Sequence, residues 1–294
     1  MPVSARTRRA ALLVLLLPIL LWSYNWIVMK QVLAYIGPFD FSALRYGFGA
    51  LVLFVVLLSR GESLKPPPLL DTALIGLAQT AGFQALVQWA LVQGGAGRTA
   101  LLAYTMPFWT VLLAWLLLAD RPSARQWTSL AVAASGLIFV LEPWHGVGGG
   151  LSALLAIAGG LCWATGVVLS KRLFQRGGIS ALSLTAWQMA IGALALIVVA
   201  LSVHERPIEW SHFLIGALVY NAVLASGLAW LLWSWVVEQL PASAVSLSSL
   251  AVPIAGIAFA RAILGERPSP SEGIGIALIV TALLIVNLRR APSA

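Results

Sequence analysis

The chain has 294 residues, of which 60% are hydrophobic and only 10% are charged, against roughly a quarter charged in an ordinary soluble domain. This composition excludes an ordinary soluble protein and indicates an integral membrane protein. The formal net charge of +8 does not indicate nucleic-acid binding, because the basic residues are scattered at the ends of apolar segments rather than clustered among exposed aromatic residues.

Apolar runs bounded by glycine, proline and charged residues predict ten membrane-spanning helices, since a span needs about 20 mostly apolar residues. In chain order the predicted spans cover residues 10–29, 38–58, 69–92, 99–118, 125–141, 151–170, 180–202, 211–237, 242–264 and 271–288. The basic N-terminus and first apolar run resemble a signal peptide, but no small-residue cleavage site follows them. The run is therefore interpreted as an uncleaved first span, and no separate soluble domain is expected.

The distribution of lysine and arginine predicts that both termini lie in the cytoplasm. Alternate connections carry twelve basic residues on one side of the membrane and four on the other. Positively charged connections stay inside, so the side with twelve is the cytoplasmic one.

The end of the fourth predicted span returns at the end of the ninth. Pro107 and Pro253 stand at the same distance before an acidic residue followed by Arg, Pro and Ser, at 120–123 and 266–269. A proline within an apolar run predicts a kinked membrane helix.

The first span matches the sixth in the same way, because Trp22 precedes Lys30 by as many residues as Trp163 precedes Lys171. A repeat of five helices crosses the membrane an odd number of times, so the second copy enters in the opposite direction. The sequence therefore predicts two inverted five-helix repeats, and a substrate site is expected where such repeats meet.

The two predicted halves, residues 1–146 and 147–294, resemble the repeats of EamA-type members of the drug/metabolite transporter superfamily. The resemblance rests on the tryptophan–lysine pairs and on the proline-containing ends of spans four and nine, and it covers essentially the whole chain. The abundance of tryptophan and of amides within the spans is similar to the bacterial aromatic amino-acid exporters. This resemblance implies an all-α membrane exporter with ten helices, located in the inner membrane of a bacterial cell.

Polar groups inside hydrocarbon are costly unless they face a partner or a watery cavity, so their positions predict the substrate pathway. Trp22 and Asn25 share one face of the first span with Trp26 and Met29. Trp22 and Trp163 lie near the middle of their spans, where they are expected to face each other and hold a flat substrate by stacking. Plain ring packing, and an interhelical hydrogen bond from Asn25, are the alternatives.

A polar stripe of Thr80, Gln84 and Gln88 follows the third span, and Tyr220 and Asn221 occupy corresponding positions in the eighth. Amides, hydroxyls and a phenol donate and accept hydrogen bonds without carrying charge, which suits a zwitterionic substrate. The alternative is that these groups only hold helices together.

Two further candidates precede the predicted kinks, Tyr104 before Pro107 and Ser246 before Pro253. A proline leaves a backbone carbonyl free one turn earlier, and such carbonyls beside polar side chains are typical of substrate sites or hinges. Tyr104 and Ser246 are therefore predicted substrate contacts and the two prolines predicted gating residues. A kink with no role in transport is the alternative.

Two arginines, Arg45 and Arg261, lie deep within spans, where each needs a carbonyl or an anionic partner. Arg45 either contacts a substrate carboxylate, snorkels to the interface or bridges helices. No Asp, Glu or His lies near the middle of any span, which favours facilitated transport or coupling through a peripheral carboxylate such as Glu238. Lys30 and Lys171 are interpreted as topology anchors or turn-capping groups.

The sequence thus predicts a monomeric transporter that exports small metabolites, amino acids including aromatic ones above all, by alternating access. A proton-coupled exporter of drugs such as quaternary amines is an alternative, although such cargo usually needs an acidic residue in the cavity. An intramembrane enzyme or lipid-handling protein is a second alternative, but Cys162 without a membrane histidine supplies neither a nucleophile–base pair nor a metal cluster. No cofactor, metal or nucleic acid is expected, and the partners are a small molecule and the bilayer.

Overall fold

The computed structural model describes residues 5–93, 96–141, 150–264 and 270–287, and within these ranges the chain forms only helices and the turns that join them. We number ten helices in chain order and treat helical pieces that continue one another as one helix. They are α1 (Ala5–Val32), α2 (Pro38–Ser59), α3 (Leu69–Ile75, Gly76–Gly82 and Phe83–Gln93), α4 (Ala96–Ala103 and Met106–Leu118), α5 (Ala124–Leu141), α6 (Gly150–Gln175), α7 (Ala181–Ser202), α8 (His212–Val219, Tyr220–Leu228 and Ala229–Gln239), α9 (Ala242–Ser248 and Ala251–Leu264) and α10 (Pro270–Asn287).

Each predicted span coincides with one of these helices, and six of them are long and apolar enough by length and composition to cross a membrane. Those six are α1, α2, α4, α6, α7 and α8. Large apolar side chains such as Leu116 and Leu201 remain exposed on the outside of the bundle, as expected for a surface that faces lipid. The protein is therefore an all-helical integral membrane protein. The predicted half boundary at 146–147, the Arg261 side chain and the turn at 266–268 lie outside the described residues.

Two helices are interrupted just before a buried proline, α4 before Pro107 and α9 before Pro253. Proline has no N–H and its ring crowds the preceding turn, so the regular hydrogen-bond ladder stops there. At each break a hydroxyl, that of Thr105 or Ser249, donates to the backbone carbonyl three residues earlier, at 2.7 and 2.6 Å. Hydroxyl groups of the same helix thus pair with backbone carbonyls at each break. The gating role of the prolines stays a prediction.

The middle pieces of α3 and α8, Gly76–Gly82 and Tyr220–Leu228, are π-helical. The π segment of α3 packs on α7, and that of α8 packs on α2. Glycines permit this close approach, because a Cβ at Gly49 or Gly192 would lie 3.2 or 2.8 Å from a carbonyl oxygen of the opposing π segment. The sequence did not predict the π segments, since a π-helix inserts into a helical pattern without a clear residue signature.

The helices pack in pairs that correspond between the two halves. α2 packs on α7 and α5 on α10, while α1 contacts α8 and α9 in the same way as α6 contacts α3 and α4. α5 and α10 form a separate pair at the side of the bundle. The remaining eight helices surround the central space.

Polar contacts close the bundle at both ends. At one end the backbone N–H groups of Phe39 and Asp40, at the start of α2, donate to the Glu205 carboxylate at 3.1 and 2.8 Å. Burial raises the pKa of the Glu205 carboxyl, while these two N–H donors act in the opposite direction. At the other end the Arg176 guanidinium and the Asp71 carboxylate form an ion pair at 2.6 Å.

Two lysines hold the ends of other helices. Lys30 Nζ donates to the Leu91 carbonyl near the end of α3 at 2.9 Å. Lys171 Nζ donates to the Val237 and Glu238 carbonyls near the end of α8 at 3.0 and 2.9 Å. Because the last carbonyls of a helix lack partners within it, each lysine caps a C-terminus and joins it to a neighbouring helix.

Candidate functional site

A cavity lies in the middle of the bundle between α1, α2, α3, α4, α6 and α8. Its lining combines aromatic rings with two amides, a thioether and a guanidinium, and it consists of Trp22, Asn25, Trp26, Met29, Arg45, Tyr46, Phe83, Gln84, Tyr104, Trp163 and Trp230. The space open to the centre of a water molecule is about 30 Å³, which is enough for about two waters. A substrate as large as an amino acid can therefore enter only if the helices move apart.

A cluster of indole rings closes this cavity. The ring centroids of Trp22 and Trp163 are 5.6 Å apart with their planes nearly perpendicular. Trp230 and Trp233 of α8 lie 5.1 and 5.4 Å from Trp22. Tyr104, at the break in α4, lies 5.6 Å from Trp163. Edge and tilted contacts of this kind are favourable for aromatic rings, and a planar substrate that separated the rings would make similar contacts with them.

Hydrogen-bonding groups in the lining are only partly used by the protein. Asn25 is 4% exposed, and its Oδ1 has no partner among the described residues. The Trp163 Nε1 likewise has no acceptor there, whereas Trp22 Nε1 donates to the Ala225 carbonyl at 2.9 Å. Gln84 accepts from the Tyr46 hydroxyl at 3.3 Å. Since buried polar atoms are normally paired, these two unpaired atoms of the lining are candidates for a hydrogen bond to a ligand.

Arg45 enters the cavity from α2 and is 2% exposed. Its Nε donates to Ser226 Oγ at 3.1 Å, its Nη1 lies 3.0 Å from Met29 Sδ, and its Cζ lies 4.7 Å from the centroid of the Tyr46 ring. It therefore bridges helices and does not snorkel to the interface. Among the described residues no carboxylate lies within 4 Å of the guanidinium.

Five predicted substrate residues line the cavity, namely Trp22, Asn25, Gln84, Tyr104 and Trp163. Their contribution to substrate binding stays a prediction, but the structure brings them together on four different helices. The remaining five predicted residues lie elsewhere.

Two of the five lie on α3 but away from the cavity. Thr80 points to α7, where its hydroxyl donates to Gln188 Oε1 at 2.7 Å. Gln88 is fully buried, and neither of its amide atoms has a partner among the described residues. The polar residues predicted on one face of α3 therefore do not share one environment. Thr80, in the π segment, contacts α7, whereas Gln84, just after it, lines the cavity.

The other three lie in the second half of the chain. The Tyr220 hydroxyl donates to the Leu21 carbonyl of α1 at 2.7 Å. Asn221 is fully buried and its Nδ2 donates to a carbonyl of its own helix, as does the Ser246 hydroxyl. In this conformation the three side chains stabilise helices or helix contacts, and a role in another conformation stays a prediction.

Three lining residues were not among the sequence candidates, Tyr46, Phe83 and Trp230. Tyr46 follows Arg45 and Phe83 precedes Gln84, so each adjoins a polar residue within an apolar helix. Trp230 lies three residues before Trp233 and hence on the same helix face. With 13 tryptophans in the chain, that spacing alone did not distinguish it from packing residues.

The lining can bind an aromatic molecule with a hydrogen-bonding or anionic head group. The described residues contain no group of three or more His, Cys, Asp or Glu side chains that could hold a metal ion. Within the lining one side chain carries a full charge, the Arg45 guanidinium, and it is positive. The site therefore offers stacking surfaces, neutral donors and acceptors, and one fixed cation.

Comparison with known proteins gives relatives of the same length. A Bacillus subtilis (strain 168) protein named "Uncharacterized transporter YoaV" is 28% identical over 275 residues, which cover 90% of each chain. A Salmonella typhimurium (strain LT2) protein named "Probable amino-acid metabolite efflux pump" is 26% identical over 282 residues, with 92% of each chain covered. An Escherichia coli (strain K12) protein of the same name is 25% identical over 285 residues, again with 92% coverage of both chains.

A solved crystal structure, described only as that of a protein, has the same fold. It superposes with a TM-score of 0.80 at 21% identity and covers 95% of this chain and 98% of that one. The model of the EamA-like transporter family matches residues 9–142 and 150–288, which together make up almost all of the sequence. The chain therefore belongs to the EamA-like transporter family.

Proposed function

We propose that the protein exports small metabolites from a bacterial cell, and that its cargo is amino acids, aromatic ones above all. The observation that carries this proposal is the central cavity, where indole rings, two amides and a guanidinium converge from both halves of the chain. Rings hold a flat side chain by stacking, and the amides and guanidinium hold the polar groups of an amino acid. The names of two relatives as amino-acid metabolite efflux pumps support the same cargo.

Transport proceeds by alternating access between two inverted repeats, residues 1–146 and 147–294. The corresponding helix pairs, the breaks before Pro107 and Pro253, and the lysine caps on α3 and α8 support this arrangement. The polar contacts at both ends support a conformation in which the ends of the bundle are held together around a cavity too small for the substrate. Opening either end would then enlarge the cavity for the substrate.

Transport does not require a proton gradient in this proposal. No carboxylate or imidazole lines the cavity, and Glu238 lies near the end of α8 rather than beside the rings. A drug exporter for quaternary amines fits the lining less well, since a cationic cargo would meet Arg45 without an acidic partner. We place the protein in the inner membrane as a monomer with both termini in the cytoplasm.

The proposal is tested with purified protein in detergent and in proteoliposomes. We expect phenylalanine, tyrosine or tryptophan to raise the thermal unfolding temperature and to be exchanged across the vesicle membrane, with aliphatic polyols as the negative control. The initial rate should be the same with and without an imposed pH gradient at zero membrane potential. Stabilisation by lipids but by no aromatic compound would contradict the cargo, and strict dependence on the pH gradient would contradict uncoupled transport.

A further inference from the structure

Arg45 is the charged side chain of the cavity, and the protein does not neutralise it. Among the described residues its hydrogen-bond acceptors are one hydroxyl and one thioether, and no carboxylate lies within ion-pairing distance. A guanidinium has five N–H donors and keeps its positive charge in proteins. Most of its donors are therefore available to an occupant of the cavity.

Gln188 on α7 occupies the place in the second half that Arg45 occupies in the first, so the two residues can be compared for a purely structural role. Arg45 lies one helical turn before Gly49 on α2, and Gln188 lies one turn before Gly192 on α7. Both glycines pack against the π segment of the opposing helix, at equivalent carbonyl oxygens. Arg45 and Gln188 thus occupy corresponding places in the two halves.

The hydrogen bonds at the two places also correspond. Arg45 Nε donates to Ser226 Oγ at 3.1 Å, whereas Gln188 Oε1 accepts from Thr80 Oγ1 at 2.7 Å. In both cases a long polar side chain is joined to a hydroxyl of the π segment opposite. A neutral amide is therefore enough to make this helix contact, so the contact with the π segment does not account for the positive charge of Arg45, which otherwise faces the rings of Tyr46 and Phe41.

We propose that Arg45 makes the cavity favour the carboxylate of aromatic acids that lack an ammonium group, so that such anions are carried faster than the zwitterionic amino acids of the proposed function, which remain substrates of the same site. This inference rests on the proposed function, because it assumes that the cavity is the substrate site. An aromatic monocarboxylate would neutralise Arg45 and leave no charge unpaired. A zwitterion would add an ammonium group beside the guanidinium, in a lining without an acidic side chain.

Other groups of the lining suit the same ligand. The Trp163 Nε1–H is a buried donor without an acceptor among the described residues, and a carboxylate oxygen would satisfy it. The indole rings hold the aromatic part of the acid. Because the carried species has a net negative charge, its passage is electrogenic, and the inside-negative membrane potential drives it outward without a coupled ion.

The experiment compares two compounds that differ at one carbon, phenylalanine and its 2-oxo acid phenylpyruvate, at pH 8 where phenylpyruvate is an anion. Initial rates are measured in proteoliposomes with a potassium diffusion potential set by valinomycin, and currents are recorded on a solid-supported membrane. We expect the wild type to transport phenylpyruvate at least about tenfold faster than phenylalanine, as one unpaired buried charge would require. Phenylpyruvate should give a current that follows the potential, and phenylalanine should not.

Two variants of Arg45 and one control variant test whether the preference for phenylpyruvate over phenylalanine depends on Arg45. Arg45→Gln copies the residue of the corresponding place in α7, so it should fold and keep the contact with α8, while the preference for phenylpyruvate falls to about twofold or less. Arg45→Lys keeps the charge and should keep the preference. Arg60→Gln removes the same charge from the exposed end of the same helix and should leave the preference unchanged.

The outcomes separate the two proposals. Equal or faster transport of phenylalanine by the wild type, or an unchanged preference in folded Arg45→Gln, overturns the anion selectivity while the aromatic cargo stands. If the wild type neither transports nor is stabilised by either compound, the proposed function itself fails. Because the wild-type comparison needs no variant, the test remains decisive even if Arg45→Gln does not fold.

Discussion

Trp163 illustrates how far a single residue can be understood from the sequence. Its spacing to Lys171 matched that of Trp22 to Lys30 and suggested that the two indoles face each other across the halves. The ring centroids are 5.6 Å apart. Arg45 was recognised as a deep charge, but its position in the cavity depends on how α2 packs against α1 and α8, which a helical pattern does not encode.

Trp163 and Trp233 allow substrate contact to be separated from packing. Both are almost completely buried, and their ring centroids are 5.6 Å apart, but Trp163 lines the cavity and Trp233 lies behind it. Replacement of either by alanine should cost about 3–5 kcal/mol of stability, because a large buried side chain is lost. At equal amounts of folded protein we expect Trp163→Ala to reduce transport of an aromatic substrate much more than Trp233→Ala. Equal loss of flux in both variants would show that the ring of Trp163 acts only through packing.

At the scale of helices, the sequence predicted the position of each helix but not the π-helical conformation of the middle of α3 and α8. Apolar runs and proline positions located the helices and the breaks in α4 and α9, because both features depend on local chemistry. The π segments of α3 and α8 depend on the opposing helix, which approaches closely at a glycine. Judged by their contacts with the opposing helix, Thr80 of α3 corresponds to Ser226 of α8. An alignment of the two halves on Gly76 and Gly216 pairs Thr80 with Tyr220 instead, because it takes no account of the π segments.

The close approach of α3 and α7 can be tested at Gly76. A Cβ at this position would clash with the Gln188 backbone carbonyl, whereas a Cβ at Gly216 of α8 would meet nothing within 4 Å. Gly76→Ala should therefore lower stability by about 1–3 kcal/mol through overpacking. Gly216→Ala should be neutral or raise stability by up to about 1 kcal/mol, because alanine favours the helix. Thermal unfolding in detergent measures both, and similar behaviour of the two variants would contradict the described packing.

At the scale of the whole molecule, composition alone identified a membrane protein, and the repeated patterns indicated two halves. The sequence could not predict how the two halves pack against each other, and hence which side chains the packing brings to the cavity. The five predicted substrate residues that lie outside the cavity show this, since each was chosen for polarity and spacing. Thr80 and Tyr220 bond to neighbouring helices, Asn221 and Ser246 bond within their own helices, and Gln88 has no partner among the described residues. In a membrane such contacts satisfy polar groups as well as a substrate would.

The predicted orientation in the membrane is tested by cysteine labelling. Cys162→Ser gives a background without cysteine, because the chain has one. Ser63 and His204 are exposed in connections at opposite ends of the bundle, predicted to be cytoplasmic and outer respectively. A membrane-impermeant maleimide should label His204→Cys in intact cells and Ser63→Cys only after permeabilisation. The reverse pattern would place both termini outside the cell and contradict the predicted orientation.

The four-indole cluster also gives the protein an optical property. Trp22, Trp163, Trp230 and Trp233 have ring centroids between 5.1 and 5.8 Å apart in the contacts among them. Indoles at such separations couple their electronic transitions, and the coupling depends steeply on distance and angle. A ligand that enters between the rings must separate them. We therefore expect the near-ultraviolet circular dichroism and the fluorescence of the protein to change when a ligand occupies the cavity, without any attached label.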